Sequence, residues 1–104
     1  MSLTGNENHD ISLTEAAHLT ENYRNAAGTS ATIAHYFGGA AIQAIMEQEG
    51  CVGIRIYYGL KDDGEKQLVI TGVNSAGNDL YNGLLAERSL NCPTDCSAGN
   101  PLNS

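Results

Sequence analysis

The segment Gly50 to Leu80, GCVGIRIYYGLKDDGEKQLVITGVNSAGNDL, constrains this chain more than any other part of it. Val52, Ile54, Ile56 and Tyr58 alternate with Gly53, Arg55, Tyr57 and Gly59. That period of two, in β-branched and aromatic residues, predicts a strand. A second run, Gln67 to Val73, follows the polar stretch Lys61-Asp62-Asp63-Gly64-Glu65, whose Asp-Gly step suits a hairpin turn. Pairing Leu60 with Lys66 sets Tyr58 opposite Leu68, Ile56 opposite Ile70 and Ile54 opposite Gly72. One face is then almost wholly apolar. A slip of one residue would put Ile56 opposite Thr71 and mix the faces, so burial selects the first register. The other face carries Arg55, Tyr57, Gln67, Val69 and Thr71, and is expected to be partly open to water or a partner.

Two strands alone are marginal in water, and both edges of a hairpin offer unpaired backbone groups. The sequence holds no third strand of comparable quality. The expectation is therefore a homo-oligomer in which a second copy extends the sheet.

Helices precede the hairpin. Ser12-Leu13-Thr14-Glu15 has the pattern of a capping box. Leu13, Ala16, Ala17, Thr20, Tyr23 and Ala27 then recur at helical spacing, and Gly28 ends the run. The spacing predicts a helix over 13–26. A second helix, with Ala41, Ile42, Ile45 and Met46 as its apolar stripe, ends at Gly50. Gly38-Gly39 breaks it from residues 31–37, read as a short helix or an interrupted extension. Residues 80–90 suggest a further short helix through Leu80, Leu84, Leu85 and Arg88, and the chain from Asn91 onward has loop composition. The expected architecture is α+β, with two to three helices packed on an antiparallel hairpin sheet. At 104 residues the chain is expected to form one domain, with 1–11 as an N-terminal arm and 91–104 as a cysteine-containing tail.

Twelve acidic and five basic residues give a formal charge of −7. The basic residues Arg24, Arg55, Lys61, Lys66 and Arg88 are scattered, so no nucleic-acid footprint exists. No stretch approaches the roughly 20 apolar residues of a membrane span. MSLTGNENHD lacks the basic and apolar regions of a signal peptide. The expected location is cytoplasmic, where reduced thiols are the default.

The three cysteines, Cys51, Cys92 and Cys96, carry the chemical alternatives. Cys92-Pro93-Thr94-Asp95-Cys96 has one residue too many for a thioredoxin-type motif. If the tail folds back to the start of the first strand, three thiolates meet, and a zinc ion would take His18, His35 or Asp79 as its fourth ligand. The plainer reading makes Cys51 a small buried hydrophobe and leaves Cys92 and Cys96 as free thiols or a disulfide. Arg55 and Tyr57, with Thr71 on the same face, form the candidate binding patch for a protein or a small anion. The plainer reading of Arg55 is an ion pair with one of the many acidic side chains. An enzyme would use Arg55 as anion anchor and Asp79 or His35 as acid or base, but no spacing supports that geometry. The leading expectation is a non-enzymatic, self-associating binding or assembly module without a cofactor.

The opening ISLTEA helix with Tyr23-Arg24, followed by GCVGIRIYYG, LVITGVN, GNDL and the CPTDCS tail, resembles a family of small bacterial proteins, mainly from Bacteroidetes. The resemblance covers almost the whole chain. It implies a free-standing bacterial domain to which the tail belongs, and it transfers no functional residue.

Overall fold

A computed structural model describes residues 2–104. The elements run α1 (Leu13–Ala27), β1 (Ala34–Tyr36), α2 (Gly39–Met46), β2 (Cys51–Leu60), β3 (Lys66–Asn74), β4 (Leu85–Ala86) and β5 (Leu90–Cys92). Among the described residues the chain is α+β, with two helices and two antiparallel sheets. Its contacts group into two compact units. One holds the residues up to Glu7 together with Phe37–Ser89; the other holds Asn8–Tyr36 and Leu90–Ser104. The expected 1–11 arm is thus divided between them. The expected tail begins in β5 of the second unit and continues as turns and loop.

The first unit is built on the hairpin. β2 and β3 pair in the register that burial selects: Leu60 with Lys66, Tyr58 with Leu68, Ile56 with Ile70 and Ile54 with Gly72. Between Cys51 and Gly53 the register shifts, so Cys51 rather than Val52 lies opposite Asn74. This bulge returns Cys51 to the apolar face, one position out of phase with the alternation. The turn closes through Lys61 N–H to Glu65 O at 2.9 Å and Gly64 N–H to Lys61 O at 2.8 Å.

α2 lies on the apolar face. Ile45 from α2, Ile70 from β3 and Ala86 from β4 form the buried core, with Phe37 and Ile42 packed against it. Gly72 lies tight against the end of α2 and the residue Gln48 beyond it. A Cβ there would lie 3.0 Å from Cys51 Sγ, 3.0 Å from Gln48 Nε2 and 3.3 Å from Ile45 Cγ2. Cover stops short of the hairpin tip. Ile54, Ile56, Tyr58 and Leu60 remain 38%, 49%, 96% and 71% exposed. The opposite face reverses the expectation on β3, where Gln67, Thr71 and Val73 are all buried.

Two expected helices are strands. Residues 31–37 hold β1, which pairs with β5: Ala34 with Cys92, His35 with Asn91 and Tyr36 with Leu90. Thr32, Ile33, Tyr36 and Phe37 suit an extended chain, but the partner strand is remote in sequence and invisible to a local pattern. Residues 80–90 are also not helical. Leu80 N–H donates to Gly72 O at 2.8 Å, and Leu84 N–H to Gln48 Oε1 at 2.8 Å. β4 then adds to β3 through Ile70 with Ala86 and Thr71 with Leu85. The hairpin therefore has its third strand within the chain, and the sheet order is β2-β3-β4.

In the second unit, α1 starts at Ser12, whose Oγ accepts from Glu15 N–H at 3.1 Å. Its other end is tied to the tail: the Arg24 guanidinium donates to the carbonyls of Leu102 and Ser104, both at 2.7 Å. The helix has no buried residue, and Leu13, Leu19 and Tyr23 are exposed.

Ile70→Ala would leave a cavity in the small core and lower unfolding stability by about 2–5 kcal/mol. Gly72→Ala would overpack the seam between Ile45, Gln48 and Cys51, at a cost of about 1–3 kcal/mol. Urea unfolding of each variant followed by circular dichroism measures both.

Candidate functional site

Arg55 and Tyr57 sit two residues apart on β2, so their side chains leave the same face of the strand. Asp79 is carried to them by the chain after β3. Asn74 Oδ1 accepts from Ala76 N–H at 3.1 Å and Asn78 N–H at 3.0 Å, which folds residues 74–78 into a tight turn. Asp79 then bridges back to Val73. Its two carboxylate oxygens are divided. Arg55 NH1 donates to Oδ1 at 2.5 Å, and the Tyr57 hydroxyl donates to Oδ2. Arg55 NH1 also reaches Gly77 O at 3.1 Å. The three side chains form a knot from β2 to the loop after β3.

The knot sets the protonation of its members. The hydrogen bond from Tyr57, aided by Arg55, holds the Asp79 carboxyl below the usual carboxylate range. The hydrogen bond to Asp79 pushes the Tyr57 phenol up, because the ionised phenol would lose that bond and face a carboxylate. Asp79 likewise strengthens the protonated state of Arg55. At neutral pH the group is an ionised carboxylate held by a guanidinium and a neutral phenol. Such a carboxylate is a poor acid, and both its oxygens are occupied as acceptors. An Arg that already grips Asp79 is a poor anchor for a second anion.

Beside the knot lies a shallow depression of about 400 Å³, lined by Gln48, Glu49, Asp79 and residues Leu80–Gly83. Its charged side chains are the carboxylates Glu49 and Asp79. That charge opposes an anionic ligand. Gln48 in its wall is structural: Nε2 donates to Ile45 O at 2.9 Å while Oε1 accepts from Leu84.

The other candidates separate. Thr71, grouped with Arg55 and Tyr57 from sequence, shares their face but is only 3% exposed; its hydroxyl donates to Gly72 O at 3.2 Å. It presents nothing to a ligand. The three cysteines do not form one ligand set. Cys92 and Cys96 are joined as a disulfide with their Cα atoms 4.8 Å apart, and a disulfide sulfur is not a thiolate ligand. Cys51 is a free thiol on β2, donating to Gly53 O at 3.2 Å. Among the described residues no cluster of three or more His, Cys, Asp or Glu side chains is arranged to hold a metal. His35 belongs to the other unit, where Nδ1 lies 2.8 Å from Asn91 Oδ1 across the β1–β5 pair.

The sequence offers Asp79 only as an acid, base or fourth zinc ligand and does not pair it with Arg55, because nothing local joins the two. The signal available was general: an acidic residue placed where a loop returns to a strand bearing an unpaired Arg. Neither a protein-family model, nor a curated protein, nor a solved structure matches this chain.

The knot makes stability pH-dependent at both ends. Asp79 has a depressed folded pKa, so its contribution is complete above its unfolded value of about 4 and is lost as pH falls through the folded value. Tyr57 has a raised folded pKa, so its contribution is complete below about pH 10 and is lost as pH rises through the folded value. Melting temperature should therefore be flat between these limits. Asp79→Asn should lower the plateau and flatten the acid limb, as read by thermal scans from pH 2 to 11.

The disulfide anchors β5 beside β1, where Cys92 O accepts from Ile33 N–H at 2.8 Å. Closing so short a loop restricts the unfolded chain by about 2 kcal/mol. Cys92→Ser with Cys96→Ser should speed amide hydrogen exchange in β1 and β5 and leave β2 and β3 protected, as mass spectrometry of the exchanged peptides would show.

Proposed function

We propose that this chain is a non-enzymatic assembly module that self-associates through the exposed edge of β2. The carrying observation is that edge. β2 is ten residues long and stands at the outside of the sheet, with β3 on one side only. Natural edge strands are usually blunted by Lys, Pro, inward charge or covering segments. Cys51–Leu60 contains no Lys and no Pro, and its one charged residue, Arg55, is neutralised by Asp79. The apolar side chains of the same strand are open to water.

The knot supports this reading over an enzyme. It satisfies the polar groups that a catalytic site would leave ready for substrate. It also moves the interaction surface away from the Arg55/Tyr57 face, the alternative route of association. Zinc and thiol chemistry at Cys51, Cys92 and Cys96 lose support from the disulfide, and a small anionic ligand loses it from the acidic depression.

We infer a bacterial domain whose scattered basic residues and net charge of −7 fit no nucleic-acid partner. No helix in the described residues is long and apolar enough to cross a membrane. The cytoplasmic location expected from the span and signal-peptide patterns is opposed by the Cys92–Cys96 bond, which favours an oxidising compartment. Thiol counting on freshly isolated, denatured protein decides between them. One reactive thiol supports the oxidising compartment, and three support the cytoplasm.

Sedimentation velocity tests the assembly. Wild-type protein should form a concentration-dependent dimer or larger species. Ile56→Lys should weaken it roughly tenfold to a hundredfold, the worth of one buried aliphatic side chain. A strictly monomeric wild type at high micromolar concentration overturns the reading.

A further inference from the structure

We propose that two copies of this chain pair β2 against β2, antiparallel, about a two-fold axis through Tyr57. This rests on the assembly reading above and supplies its geometry.

A symmetric pair of identical strands must be antiparallel, and directly opposed residues then lie on the same face of the joined sheet. Ile54, Ile56, Tyr58 and Leu60 share one face, with Arg55 and Tyr57 on the other. The apolar face continues across the junction only if members of that set oppose one another. The axis must therefore pass through a residue and not between two.

Four central positions, Arg55 to Tyr58, keep most of the strand paired, and chemistry removes three of them. An axis at Arg55 sets Arg55 against Arg55 of the second copy, an opposition of like charges. An axis at Ile56 sets Arg55 against Tyr57, crowding the side chains that hold Asp79. It also draws Val52 into the ladder, where the register is already broken. That end is further blocked: a Cβ on Gly5 would lie 2.6 Å from Val52 O, so the N-terminal segment runs against the strand there. An axis at Tyr58 sets Arg55 against Lys61 and extends pairing into the turn.

The axis at Tyr57 sets one Tyr57 ring against the other, an aromatic pair without like charges, and keeps Arg55 clear of Lys61 and of a second Arg55. Ile54 opposes Leu60, and Ile56 opposes Tyr58, so all four exposed apolar side chains of the strand meet another. Arg55 opposes Gly59, which has no side chain to compete with Asp79. Pairing uses residues 54–60 alone, between the bulge and the turn. Each copy contributes its three-stranded sheet to one continuous sheet.

Cysteine cross-linking reads the register. Each variant is made with Cys51→Ser, checked for a folded spectrum and sedimented to confirm dimers. Ile54→Cys protein mixed with Leu60→Cys protein should cross-link under mild oxidation, since opposed Cβ atoms lie about 5 Å apart. So should Ile56→Cys mixed with Tyr58→Cys. Each variant alone should cross-link far less. Two copies of residue 54 would be about 20 Å apart, six strand positions at about 3.4 Å each. Dimers in which Ile56→Cys or Tyr58→Cys cross-links to itself, or in which neither mixture cross-links, overturn the register and leave the assembly reading standing. Monomers throughout overturn both.

Discussion

The pairing of β2 with β3 is the constraint on which the first unit depends. One face of that hairpin can be buried only in a single register, and that register decides what each neighbour meets. It sets Ile70 under Ile45 and Gly72 beneath the end of α2, where no side chain larger than hydrogen fits without displacement. It also brings Arg55 and Tyr57 to one side of the strand, in line for a single carboxylate from the loop after β3. A slip of one residue would undo the core and the knot together.

The hairpin is longer than the cover supplied to it. α2 packs over Ile70 and Gly72 and β4 pairs beside β3, while the apolar side chains of β2 from Ile54 to Leu60 stay open to water. The buried core of the unit is correspondingly small. An apolar stretch open to water beside an edge unblunted from Ile54 to Leu60 suits the proposed pairing with a second copy, the partner always present at the same concentration. The knot contributes by removing the free charge that would otherwise oppose such pairing.

The residues that most resembled a functional patch therefore hold the fold. Arg55 and Tyr57 are satisfied by Asp79, Thr71 is interior, and Cys92 and Cys96 fasten β5 in place. Their polar groups are spent within the chain, and the proposed self-association draws on backbone and apolar surface instead. The bland reading of Arg55, an ion pair with a neighbouring acid, was legible in its composition of many acids and few bases. The identity of that acid was not, because nothing local distinguishes Asp79 from eleven other carboxylates.

By itself the sequence determined the α+β class, the hairpin register from Ile54 to Leu60, and the start of α1 with its stop before Gly28. These follow from short-range physics: alternation, capping hydroxyls and turn residues act within a few positions of one another. Only the tertiary structure decided that residues 34–36 are a strand, since their partner Leu90–Cys92 is supplied from the far end of the chain. Only it decided that Leu85–Ala86 completes the sheet, because the sheet edge and Gln48 satisfy backbone groups that a local pattern would have closed into a helix. The same reason governs the site. Arg55 meets Asp79 through a loop whose path is fixed by Asn74 and the β3 ladder, and no spacing along the chain encodes that meeting.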